Sequence, residues 1–176
     1  MFDYPFPIIE TIDDVLPAIE GYDEFIVADR GDHTILNYQM GRNHTFDMSG
    51  PDDLMGALRR ECRGLIFDAS GKLIRRPLHK FFNVGERLET MPENLPMSED
   101  YEVHDKADGS MIAPFFVGGT MRLGTKMGLT DIAKDAEDWL ARQSAAATKV
   151  MRHWVLDGYT PIFLTTKSFC NMMNHV

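Results

Sequence analysis

Many of the β-prone runs between residues 25 and 126 are separated by turns of only two or three residues. Connections that short join antiparallel neighbours, because a parallel crossover needs a dozen residues or more. "FIVAD" (25–29) and "HTILNYQM" (33–40) flank the turn "RGD". "RGLIFDASGKLIRRP" (63–77) reads as a hairpin around "ASG". "YEVHDKADGSMIAPFFVGGTMRLGTK" (101–126) reads as a meander with turns at Asp108-Gly109 and Gly118-Gly119. A last β-prone stretch, "YTPIFLT", spans 159–165.

Helical patterns flank these runs. Residues 10–20 suit a short helix with Thr11 as N-cap and acids in its first turn. "PDDLMGALRREC" (51–62) has proline and acids at its start and arginines near its end, which complements the helix dipole. Ile132, Ala136, Trp139, Leu140, Val150, Met151 and Trp154 recur near helical spacing, so 130–156 forms one long helix or two shorter ones. The fold class is therefore α+β, antiparallel sheets with packed helices, and 176 residues suit a single domain with a real core. No apolar run approaches the roughly 18 residues of a membrane helix, and "MFDYPFPIIE" lacks a signal-peptide pattern. Cys62 and Cys170 make neither a disulfide framework nor a zinc spacing, so a reducing, cytoplasmic setting is the default.

A net charge of −9 argues against non-specific coating of nucleic acid. The charge is uneven, however. Residues 59–87 concentrate Arg59, Arg60, Arg63, Lys72, Arg75, Arg76, Lys80 and Arg87. Taken alone, such a cluster reads as a solvated face.

The stretch "HDKADGSMI" (104–112) sets a chemical question. A lysine attacks only as the neutral amine, so Lys106 as a nucleophile needs its pKa brought down from about 10.4. Burial and nearby cations do that, and carboxylates oppose it. Strand alternation turns Asp105 away from Lys106, and the turn at Gly109 re-aims Asp108. Lys-x-Asp-Gly alone is a weak signal, more often met in a surface hairpin. Three companions strengthen it: "ECRGLIFD" (61–68), "HKFFNVGE" (79–86) and "LGTKMG" (123–128). They set Arg63, Lys80 and Lys126 beside strands or turns, and such a group of cations suits a polyphosphate. Phe81 and Phe82 are read as core and wall, and the six histidines show no metal spacing.

In this order and spacing the four motifs resemble the covalent nucleotidyltransferases, and most closely the bacteriophage RNA ligase 1 family, over roughly residues 25–165. The resemblance implies a nucleotidyltransferase (ATP-grasp-like ligase) domain that uses ATP and Mg²⁺. Lys106 would attack the α-phosphate of ATP and carry AMP as a phosphoramidate. The AMP would pass to an RNA 5′-phosphate, and an RNA 3′-hydroxyl would displace it to seal the strand, a chemistry of RNA repair. By the same resemblance, Asp108 and Gly109 would position the nucleotide. Arg63 would sit over the ribose or phosphates, Lys80 would neutralise the β- and γ-phosphates, and Lys126 would contact the site from below.

The resemblance departs near the end of the chain. Leu164 stands where the family carries a glutamate, and no later glutamate or paired-lysine motif follows. The expectation is that residues 1–176 are the first part of an adenylyltransferase domain, without its second half or a specificity domain. It would be a truncated or frameshifted product or one piece of a split ligase. The alternative is a non-catalytic remnant that binds ATP or RNA. An incomplete sheet would leave an edge open to association.

Overall fold

The computed structural model describes residues 4–100, 108–143, 145–156 and 163–165. Its strands form two antiparallel sheets. The first has four strands in the order β1 (Phe25–Asp29), β2 (His33–Tyr38), β3 (Arg63–Asp68) and β4 (Leu73–Arg75). The second is ordered β6 (Thr120–Gly124), β5 (Ser110–Val117) and β7 (Phe163–Thr165). The helices are α1 (Leu16–Ile19), α2 (Leu54–Glu61), α3 (Asp131–Ala141) and α4 (Ala145–Leu156). The α+β reading is borne out at this level, and residues 130–156 resolve into two helices.

Side-chain alternation builds the layers. On β2 and β3, Leu36, Leu65 and Phe67 face one way and pack with Val15, Ile19, Leu58 and Cys62 from the helical side. Ile35 and Ile66 face the other way and meet Phe115 and Val117 of β5. On the far side of the second sheet, Ile112 and Leu123 pack with Leu140 of α3 and Met151 of α4. The order of layers is thus α1 and α2, first sheet, second sheet, α3 and α4.

Three local outcomes differ from the sequence pattern. Residues 10–20 do not make one helix. The Asp14 carboxylate accepts from the amides of Glu10 and Thr11 and closes a 3₁₀ turn, after which α1 runs for four residues with Pro17 in its first turn. The basic stretch 59–87 is not uniformly a solvated face either. Arg60 and Arg75 are buried, bonded to the carbonyls of Phe46 and Thr125. Phe81, read as core, is 53% exposed.

Candidate functional site

Three of the cations picked out in the sequence come together at one end of the sheets. Arg63 opens β3, where its Nη1 donates to the Leu78 carbonyl at 3.4 Å and its guanidinium lies over the Phe81 ring at 5.0 Å. Lys80 sits on an irregular segment tied to the end of α2, since its amide donates to the Arg60 carbonyl at 2.8 Å. Its Nζ donates to the Phe81 carbonyl at 2.8 Å and lies over the Phe82 ring at 4.3 Å. Lys126 stands on the tight turn Thr125–Gly128, closed by reciprocal backbone bonds of 2.9 Å, with Nζ 4.4 Å from the centre of the Tyr38 ring.

Each position is enforced by specific contacts. β2 and β3 slip register between Leu36 and Asn37, so Gly64 is the extra residue of a β-bulge with φ +94°. A Cβ there would lie 2.8 Å from Lys126 Cα, so the bare glycine is what lets the Lys126 turn approach β3. Arg75 holds the same turn from beneath, both Nη atoms donating to the Thr125 carbonyl at 3.0 and 3.1 Å. Burial pushes the Arg75 guanidinium down to about 10. Asn37 Nδ2 donates to Met127 Sδ at 2.8 Å.

On the Lys80 side, the Tyr4 ring stacks on His79 at 4.3 Å. The Tyr4 hydroxyl lies 2.9 Å from both the Ala57 carbonyl and Glu61 Oε1. Glu61 is buried, and its other oxygen accepts from Arg76 Nε at 2.9 Å. Beside Lys80 opens a cavity of about 410 Å³ walled in part by Tyr4, His79, Phe81 and Phe82.

The three cations affect one another. The Lys126 amine is lowered from the ordinary lysine value by burial first, then by Arg63 and Lys80. The Lys80 amine is lowered by burial first and further by Arg63, Arg87 and Arg60, with Glu86 opposing. Arg87 and Arg60 have carboxylate partners in Asp47 and Glu89. Among the described residues, Arg63, Lys80 and Lys126 have no carboxylate within ion-pair distance. Such a group of unpaired cations favours a multiply charged anion.

Asp108 and Gly109 lie exposed just before β5, with the Asp108 carboxylate accepting from the Gly109 amide at 2.9 Å and Gly109 at φ +122°. No hydrogen bond or ion pair joins Asp108 to the three cations. Lys106 lies outside the described residues. The backbone of Leu164 pairs with Met111 in the β5–β7 register. The sequence reading did not single out Gly64, Tyr38 or Tyr4. A glycine beside Arg63 at the start of a strand pattern is a legible bulge signal, whereas nothing local marks Tyr4.

An α+β fold that gathers, at one end of two antiparallel sheets, cations with no ion-pair partner among the described residues is suited to handling phosphates. The RNA ligase family model matches residues 61–173, more than half of the chain. A protein of Thermovibrio ammonificans described as "Putative RNA ligase" is 33% identical over 154 residues, which cover 87% of this chain and 38% of that protein. RNA ligase 1 of bacteriophage TS2126 is 27% identical over 124 residues, covering 68% of this chain and 30% of that enzyme. The chain belongs to the RNA ligase family of the phage type, and it spans under two fifths of the length of these curated relatives.

Proposed function

We propose that this chain carries the nucleotide-activating part of an ATP-dependent RNA ligase, with Lys106 as the nucleophile. The observation that supports it most is the cluster of Arg63, Lys80 and Lys126, which has no ion-pair partner among the described residues. In the first step the neutral Lys106 amine attacks the α-phosphorus of ATP. A P–N bond forms, the bond to the bridging oxygen breaks, and pyrophosphate leaves with the electron pair while the amine gives up a proton. Arg63, Lys80 and Lys126 stabilise the charge that builds on the departing phosphates. An oxygen of the RNA 5′-phosphate then attacks the same phosphorus and frees the lysine. In the last step the RNA 3′-hydroxyl attacks the 5′-phosphate and releases AMP. Asp108 and Gly109 turn the backbone close to the nucleotide.

The family's use of Mg²⁺ finds no ready-made set of protein ligands among the described residues. The described residues gather no group of three or more carboxylate, histidine or cysteine ligands.

The test is incubation with α-labelled ATP and Mg²⁺ followed by a denaturing gel. Label on the wild-type chain that disappears in Lys106→Ala is the expected result. Thermal stabilisation by ATP without any label would instead support a binding remnant. Absence of both would overturn the proposal.

A further inference from the structure

Phe81 is the exposed aromatic of the cluster. An exposed apolar side chain is ordinary by itself, but this one is joined to the cations on two sides. Arg63 lies over its ring, and Lys80 is bonded to its carbonyl. Leu78 and Val84 extend the apolar rim, at 51% and 66% exposure, and the cavity beside Lys80 reaches Phe81. A stacking surface and three phosphate-seeking charges, drawn from β3, the Lys80–Phe81 segment and the Lys126 turn, therefore meet at one end of the sheets. Proteins that hold single-stranded nucleic acid combine these two elements, aromatic faces for bases and cations along the backbone.

We propose that Phe81, with Arg63, Lys80 and Lys126, docks the 5′-phosphorylated end of a single-stranded RNA, the terminal base stacking at Phe81 and its phosphate on the cations. The proposal rests on the ligase reading and adds a binding subsite to it. A terminal phosphate monoester is close to a dianion at neutral pH, with a second pKa of about 6. It therefore suits a cluster with no carboxylate at ion-pair distance among the described residues. Departure of pyrophosphate would free those same cations for the RNA. A duplex end keeps its bases paired and stacked, and so offers none to Phe81. The local cations favour RNA over an apolar protein partner on this rim, although the chain as a whole carries −9.

The experiment is fluorescence anisotropy of this chain with a short RNA labelled at its 3′ end. Phe81→Ala should weaken binding of the 5′-phosphorylated single strand about tenfold, and Phe81→Trp should retain it. Replacing the 5′-phosphate by hydroxyl should weaken wild-type binding, and pyrophosphate should compete. Equal affinity of wild type and Phe81→Ala would overturn the site, as would equal affinity for single strand and blunt duplex. Loss of self-association in Phe81→Ala with no change in RNA binding would overturn it as well, marking a contact between copies. The two proposals fail separately. Adenylate labelling with Phe81-independent RNA binding sinks only the docking site. Phe81-dependent binding without labelling sinks only the adenylylation step.

Discussion

Gly64→Ala tests the contact that brings β3 and the Lys126 turn together. Two costs can be worked from the structure. The residue sits at φ +94°, where an L side chain costs about 1–2 kcal/mol. The added Cβ would also lie 2.8 Å from Lys126 Cα and 3.0 Å from its carbonyl oxygen. Both are backbone atoms that cannot rotate aside, and forced overpacking costs about 1–3 kcal/mol. The sum is about 2–5 kcal/mol, against a typical domain stability of about 5–15 kcal/mol. With a urea m-value of roughly 2 kcal/mol/M, the unfolding midpoint should fall by about 1–2.5 M. Gly31→Ala separates the two costs, since Gly31 has φ +86° and open space around it. It should show only the first, about 1–2 kcal/mol. ATP affinity should fall in Gly64→Ala and stay level in Gly31→Ala, because only the former displaces Lys126. A Gly64→Ala midpoint no lower than that of Gly31→Ala, with wild-type ATP affinity, would refute the close approach.

Two further outcomes follow from the groups around the cluster. Tyr4→Phe leaves Glu61 Oε1 buried without its hydroxyl partner and should cost about 1–3 kcal/mol in urea denaturation. Burial first, then Glu61, pushes the Tyr4 hydroxyl above its ordinary value of 10.0. The folded state therefore holds this proton where the unfolded chain releases it, and stability should fall as pH rises above about 10. Denaturation curves between about pH 9 and 11 should show that loss in wild type and a shallower one in Tyr4→Phe. Lys126→Met should leave the melting temperature equal to or above that of wild type, because a like charge goes while the apolar stem is kept. The rise in melting temperature produced by pyrophosphate should shrink in the same variant. The lowered Lys126 and Lys80 amines release protons in the folded state first, so their contribution to stability rises with pH until about 10.4, and Lys126→Met should flatten that rise. A variant less stable than wild type that keeps the full pyrophosphate effect would show that Lys126 is only structural.

Much of the frame was legible because strand periodicity is local. The alternation of Ile35 with Leu36, and of Ile66 with the flanking Leu65 and Phe67, assigns each face before any partner is known, and the short turns fix antiparallel pairing. What escaped the sequence depends on partners far along the chain. Arg60 is buried because the Phe46 carbonyl receives it, and Arg75 because Thr125 does, 50 residues away. Charge composition alone placed both on a solvated face. The sequence pattern reads adjacent Phe81 and Phe82 as core and wall. Neighbours on such a segment point to different sides, however, and of the two only Phe82 is half-buried, against Arg60, Lys80 and Arg87. The 10–20 helix failed for a local reason that a pattern search underweights, the Asp14 carboxylate closing a tighter turn just before Pro17.

The cluster itself carries information that neither motif spacing nor family membership supplies. Arg63, Lys80 and Lys126 repel one another, and burial depresses both amines. A chain with an excess of acids, 27 against 18 basic residues, could have placed a carboxylate between them and gained stability. Glu61, close by, is instead held by Tyr4 and Arg76. Arg60 and Arg87 are matched to Glu89 and Asp47. Among the described residues these acids pair with the outer arginines and none lies within ion-pair distance of the inner three cations, Glu86 acting on Lys80 only from farther off, which costs stability unless an anion completes them. That arrangement is what a site for transient phosphate groups requires, since a resident carboxylate would compete with each of them in turn.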